Sequence, residues 1–179
     1  MISDFPVMVD ACVLVQAAVR DTLLRLFERR LFLARWTDEI IEETVRTLRD
    51  KLGRTQEQTD YLVNELRNHF PDAWVEQGYR ELIPSMTNQE KDRHVLAAAV
   101  KTPCEVIVTY NLKHFPEECL NQFEITAKHP DEFLIASTTS MARWWSTNFI
   151  SRDRRCEPLA QSVKYWPLSK YANVRSLPS

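Results

Sequence analysis

The stretch EVIVT at residues 105–109 decides the fold. Val106, Ile107 and Val108 form a short, wholly apolar, β-branched run, the pattern of a strand buried on both faces of a parallel sheet. Pro103 punctuates the chain before it, and residues 89–101 read as a helix. Further back, FPVMV at 5–9 is a second buried run, ending in Asp10 and followed by a helical pattern over 11–30. LFLARW at 31–36 is another strand candidate. Thr37 then serves as an N-cap, and Ile41, Val45, Leu48 and Leu52 keep helical spacing until Gly53 stops the helix. Residues 55–69 make a further helix closed by Pro71. Downstream of EVIVT, residues 123–127 read as a last strand and 131–135 as a helical turn. Strands alternating with helices imply an α/β chain, with a parallel sheet covered by helices on both faces.

Composition removes several classes of function. The chain has 179 residues and only 2 glycines, where average usage of about 7% would give about a dozen. No glycine-rich phosphate loop of the dinucleotide or P-loop kind can be written. Apolar runs such as Leu96 to Val100 fall far short of the ~20 residues of a membrane span. Residues 1–15 contain Asp4 and Asp10 but no Lys or Arg, unlike the basic start of a secretory signal. The expectation is a cytoplasmic protein. Cys12, Cys104, Cys119 and Cys156 contain no CxxC pair and read as reduced thiols serving as core filler.

The charge is uneven. Residues 1–136 carry 16 Lys+Arg against 23 Asp+Glu, whereas residues 137–179 carry 7 against 2. The second stretch also holds 8 serines together with Trp144, Trp145 and Trp166. Two parts follow, a globular domain over 1–136 and a C-terminal extension over 137–179. The extension either packs its tryptophans on a core or a neighbour, serves as a basic arm with Arg152, Arg154 and Arg155 on RNA phosphates, or is out of character through a change of coding frame.

In open parallel sheets ligands collect beyond the carboxyl ends of the strands. Asp10 directly follows the first strand, and a carboxylate there is costly unless paired, hydrogen-bonded or metal-bound; it either caps the next helix or serves a site, and both can hold together. Asp92 falls on the same helical stripe as Val95, Leu96 and Ala99, so it faces the core rather than water. Glu42 and Glu43 both lie off the apolar stripe of their helix, and periodicity does not choose between them. Asn111 follows EVIVT and offers either a turn residue or an uncharged oxygen ligand, and His114 lies three residues on. Hard oxygen donors without a Cys/His cluster point to Mg2+ or Mn2+, which activates water and neutralises charge building on a phosphate.

VMVDACVLV at 7–15, EIIEETVRTL at 39–48, EKDRHVLAAAV at 90–100, VIVTYNLKHFP at 106–116 and FEITAKHPDEFL at 123–134 occur in the order seen in PIN domains. The chain resembles the ribonuclease domains of VapC-type toxins over roughly residues 5–136. The resemblance implies a three-layer α/β/α fold with about five parallel strands. It also implies a divalent-metal endoribonuclease, often a homodimer and often blocked by a partner antitoxin. Carried over residue by residue, the metal-binding acids fall on Asp10, Glu43 and Asp92, with Asn111 completing the catalytic set. Asn111 and His114 stand where the family commonly has aspartates, which leaves one metal ion better supported than two. Arg93, Lys113 and His114 are the accompanying candidate RNA contacts. A haloacid-dehalogenase-type phosphatase would need a second aspartate where Cys12 stands. The remaining alternatives are a non-catalytic PIN-fold module that binds nucleic acid or a protein partner, and an enzyme acting on DNA.

Overall fold

The computed structural model describes residues 5–136, which lie within the first of two units into which the chain divides, residues 1–142. Strands β1 (Pro6–Val9), β2 (Leu33–Arg35), β3 (Val106–Val108) and β4 (Thr126–Lys128) form one all-parallel sheet in the order β2-β1-β3-β4. Val7 pairs with Ala34 on one side and with Val106 on the other. Val7, Met8, Val9, Ile107 and Val108 are fully buried or nearly so, as apolar runs between two helical layers require.

The expected fifth strand is reduced to a bridge among the described residues. Trp36 pairs in parallel with Trp74, its N–H donating to Ala73 O and its carbonyl accepting from Val75 N, each at 2.9 Å. A one-turn 3-10 helix at Pro71–Ala73 delivers this segment, and Gly78, at a φ of 82°, turns the chain away soon after.

Seven helices accompany the sheet among the described residues: α1 (Ala11–Leu14), α2 (Ala17–Glu28), α3 (Asp38–Leu52), α4 (Gln56–His69), α5 (Arg93–Lys101), α6 (Glu117–Leu120) and α7 (130–136). The single helix expected over 11–30 is broken in two. Gln16 is extended at the break, and the Arg20 guanidinium donates to the carbonyl of Leu14, satisfying an acceptor that the broken helix leaves open. The ends of α3 match their sequence signals. Thr37 Oγ1 accepts from Ile40 N at 3.2 Å, and Gly53 closes the helix at a φ of 62°. Thr55 and Gln58 form a capping box at the start of α4. The helix expected from residue 89 begins as a 3-10 turn, Glu90–Asp92, so Asp92 sits at the junction rather than inside the first α-turn. β4 starts three residues later than the sequence suggests, because Glu124 adopts the left-handed region at a φ of 57°.

An aromatic cluster holds the layers together. Phe27 stacks on Phe70 at 5.3 Å, and Phe32 meets Phe133 edge-on at 5.1 Å, which joins α2, α4, the approach to β2 and α7. Contacts of this kind add roughly 0.5–1.5 kcal/mol each beyond burial. The strand order then locates the site. From β1 the chain moves one way to β2 and the other way to β3, so the crevice of this sheet opens beyond the carboxyl ends of β1 and β3.

Candidate active site

Asp10 occupies that crevice. It extends the ladder, its N–H donating to Val108 O at 3.1 Å, and its side chain is buried with the residue 3% exposed. One carboxylate oxygen, Oδ2, accepts from Thr109 Oγ1 at 2.6 Å and from the Cys12 thiol at 3.1 Å. Thr109 is itself fully buried, and its Oγ1 accepts the Asn111 main-chain N–H at 2.9 Å. Cys12 Sγ also accepts from Tyr110 N at 3.3 Å. The thiol pKa is pushed up to about 12, first by burial and then by the charge of Asp10, so Cys12 is a neutral donor.

Asp92 is the second acid at the centre, also 3% exposed. Its pKa is raised, first by burial and second by the charge of Asp10, with Lys91 and His114 acting in opposition. The two carboxylates therefore lie within electrostatic reach, although they come from segments 82 residues apart in the sequence. His114 Nδ1 approaches Asp92 Oδ2 to 2.7 Å. This contact opposes the rise in the Asp92 pKa, and neither atom has another partner among the described residues.

The other sequence-derived residues surround this pair at different depths. Glu43 is half-buried on the second turn of α3, whereas Glu42 is exposed, so Glu43 is the one of the two turned towards protein. Among the described residues, no three His, Cys, Asp or Glu side chains meet at metal-ligand spacing, so the expected trio of Asp10, Glu43 and Asp92 is not gathered as a ligand set. Asn111 is half-buried, and its main chain rather than its carboxamide is tied down. Arg93 donates from Nε to Asn88 O at 3.3 Å, Lys113 is exposed, and His114 is half-buried. Asn88 is 3% exposed, with neither amide atom partnered among the described residues.

Two contributors were not singled out in the sequence. Thr109 ends the EVIVT run, and a hydroxyl closing a buried strand was the available signal. Cys12 does not serve as the filler expected of the cysteines, because its thiol is aimed at Asp10; Cys104 and Cys119 are buried in the apolar interior. Cys156 and the arginines and tryptophans of 137–179 lie outside the described residues.

Glu39, in the first turn of α3, is held elsewhere. It accepts from Tyr79 Oη at 2.7 Å and from Arg80 Nε at 2.9 Å. Burial works against its charge, yet these two donors win and its pKa is lowered.

The donor chemistry suits a hard divalent cation. It consists of buried carboxylate oxygens from two segments, one of them approached only by His114, and an amide oxygen past the end of β3. A parallel sheet in this order, with an acid pair at its switch point, is the architecture of a PIN domain. The PIN domain family profile matches residues 6–113, and the chain belongs to that family. Within it the chain is VapC-like. Over 58 residues it is 60% identical to a Mycobacterium tuberculosis (strain ATCC 25618 / H37Rv) protein named Putative ribonuclease VapC50. That match spans 32% of this chain and 34% of the relative.

Proposed function

We propose that the chain is a divalent-metal-dependent endoribonuclease, the toxin of a pair whose antitoxin blocks it in the cytoplasm. The observation that carries this reading is the meeting of two buried carboxylates, Asp10 and Asp92, where the sheet opens. Burying two acids within reach of each other's charge is costly, and a divalent cation between them would offset that cost.

In this reading Asp10 and Asp92 hold Mg2+ or Mn2+. The ion supplies Lewis-acid stabilisation of the charge that builds on the phosphate. Thr109 and Cys12 hold Asp10 Oδ2, so Oδ1 would be the oxygen available to the ion. Glu43 would orient or deprotonate the attacking water. Asn111 offers its carbonyl oxygen to the same shell, while Arg93, Lys113 and His114 contact the RNA backbone. A homodimer accords with the family resemblance.

The alternative is a PIN-fold binding module without catalysis, and the lack of a gathered three-acid cluster among the described residues favours it. Cleavage of single-stranded RNA by the full chain separates the two. The enzyme reading expects cleavage with Mn2+, none with a chelator, and none from Asp10→Asn. Binding of RNA without any metal-dependent cleavage would establish the module.

A further inference from the structure

Two aromatic residues stand beside the acid pair without a part in it. Tyr110 lies just past β3, and His129 just past β4. These strands are parallel neighbours, so both rings sit at the edge that carries Asp10. Their centroids are 4.9 Å apart and their planes 81° apart. A perpendicular pair covers only one ring face and leaves the others open. Tyr110 is joined to the acids through its main chain, whose N–H reaches Cys12 Sγ at 3.3 Å, and that thiol reaches Asp10 Oδ2 at 3.1 Å.

The Tyr110 ring packs against the edge of the core, and neither ring is fully buried. Tyr110 is half-buried, with no hydrogen bond from its hydroxyl among the described residues, and the His129 side chain is 37% exposed. His129 Nδ1 accepts from Asp131 N at 3.3 Å, which sets the turn of the ring. The Asp131 carboxylate lies 3.5 Å from the same nitrogen and is 73% exposed. Lys128 directly precedes His129 at the end of β4, and Lys113 follows Tyr110 by three residues.

We propose that Tyr110 and His129, with Asp131 at their rim, form a stacking site for one unpaired RNA base next to the bond that is cut. The proposal rests on the ribonuclease reading. A base is flat and neutral, so the acid pair does not repel it, and stacking on Tyr or His is how proteins hold splayed-out bases. The exposed carboxylate accepts hydrogen bonds from a base edge that carries amino or imino hydrogens. Lys113 and Lys128 serve the phosphates on either side.

The test uses the full chain with a chelator present and a set of fluorescently labelled RNA hexamers, each abasic at a different position. Removing the base at one position is expected to weaken wild-type binding about 5- to 50-fold. Tyr110→Ala should weaken binding of the intact hexamer to the same degree and lose all sensitivity to that abasic position. Tyr110→Phe should behave as wild type, and His129→Ala should show a partial form of the same loss. His129 is the more exposed residue, so its variant carries the test if Tyr110→Ala melts early. The site is overturned if wild type binds RNA but both alanine variants weaken intact and abasic hexamers equally, or weaken neither. Failure of wild type to bind any hexamer removes the ribonuclease reading and this site together.

Discussion

Thr109 Oγ1 lies 2.6 Å from Asp10 Oδ2, a contact between residues 99 apart that ties the ends of β1 and β3 together. The same oxygen accepts the Asn111 N–H, so one hydroxyl fixes both the first acid and the turn that carries the amide. Replacing Thr109 with Val keeps the shape and removes the donor, leaving Asp10 with the weaker thiol alone. Losing a partner of a buried charged group costs about 1–3 kcal/mol. The expected result is a melting temperature lower by several degrees and weaker Mn2+ binding, with Thr109→Ser restoring both. Differential scanning calorimetry and isothermal titration check it, and a Thr109→Val protein as stable as wild type would show that the hydroxyl is dispensable.

The raised pKa of Asp92 fixes a pH dependence whose sign can be worked out. A carboxyl that holds its proton more tightly when folded than when unfolded destabilises the ionised protein at neutral pH. That cost is fully present above the folded pKa, and is relieved as pH falls through the folded pKa towards the ordinary carboxylate value. Asp92→Asn abolishes it. Without metal, Asp92→Asn should melt a few degrees above wild type at pH 7, and the gap should narrow as pH falls towards 4. Saturating Mn2+ should stabilise wild type and not the variant. Melting curves across pH with and without Mn2+ would refute this if the gap widened on acidification.

On the ribonuclease reading, His114 and Asn111 stand at positions where a third or fourth negative charge would reinforce the acid pair. Either Asn111→Asp or His114→Asp adds charge beside Asp92, so Mn2+ should bind about tenfold more tightly, roughly 1.4 kcal/mol, at some loss of stability without metal. His114→Asp also replaces the 2.7 Å approach to Asp92 by a repulsive one, so its loss without metal should be the larger. Calorimetric titration measures both. Unchanged affinity in the two variants would place these side chains outside the ion's surroundings.

Much of the fold was legible because the sheet is parallel and buried. FPVMV and EVIVT admit no amphipathic reading, and Thr37, Gly53 and Thr55 mark helix ends by local chemistry alone. The break at Gln16 was not legible. It depends on Arg20 reaching back to the Leu14 carbonyl, a tertiary choice over a sequence that reads as continuous helix. The late start of β4 has a similar origin in Glu124, a non-glycine residue held left-handed. At the site, Asp10 and Asp92 were visible as acids in apolar surroundings, and both are buried. Glu42 and Glu43 were indistinguishable by periodicity, because neither lies on the core stripe; their exposures differ in the fold. Thr109 and Cys12 escaped notice because their parts depend on a contact across two strands.

The last prediction concerns residues 137–179, which lie outside the described residues and are argued from charge and composition alone. They carry 7 Lys+Arg against 2 Asp+Glu, while residues 1–136 carry 16 against 23. A basic arm on an acidic domain would raise the encounter rate with RNA, and would make binding strongly salt-dependent through counterion release. Trp144, Trp145 and Trp166 argue for the other role, since three large apolar rings in 43 residues need a surface to cover. The two roles separate on deletion of 137–179. An arm leaves a domain that melts as the full chain does, with weaker RNA binding and a flatter salt slope. Packing leaves a domain that melts lower or aggregates. The expected outcome is packing, because three tryptophans in so short a stretch call for apolar partners more than a phosphate-binding arm does. A truncated protein that melts unchanged and loses its salt slope would decide for the arm.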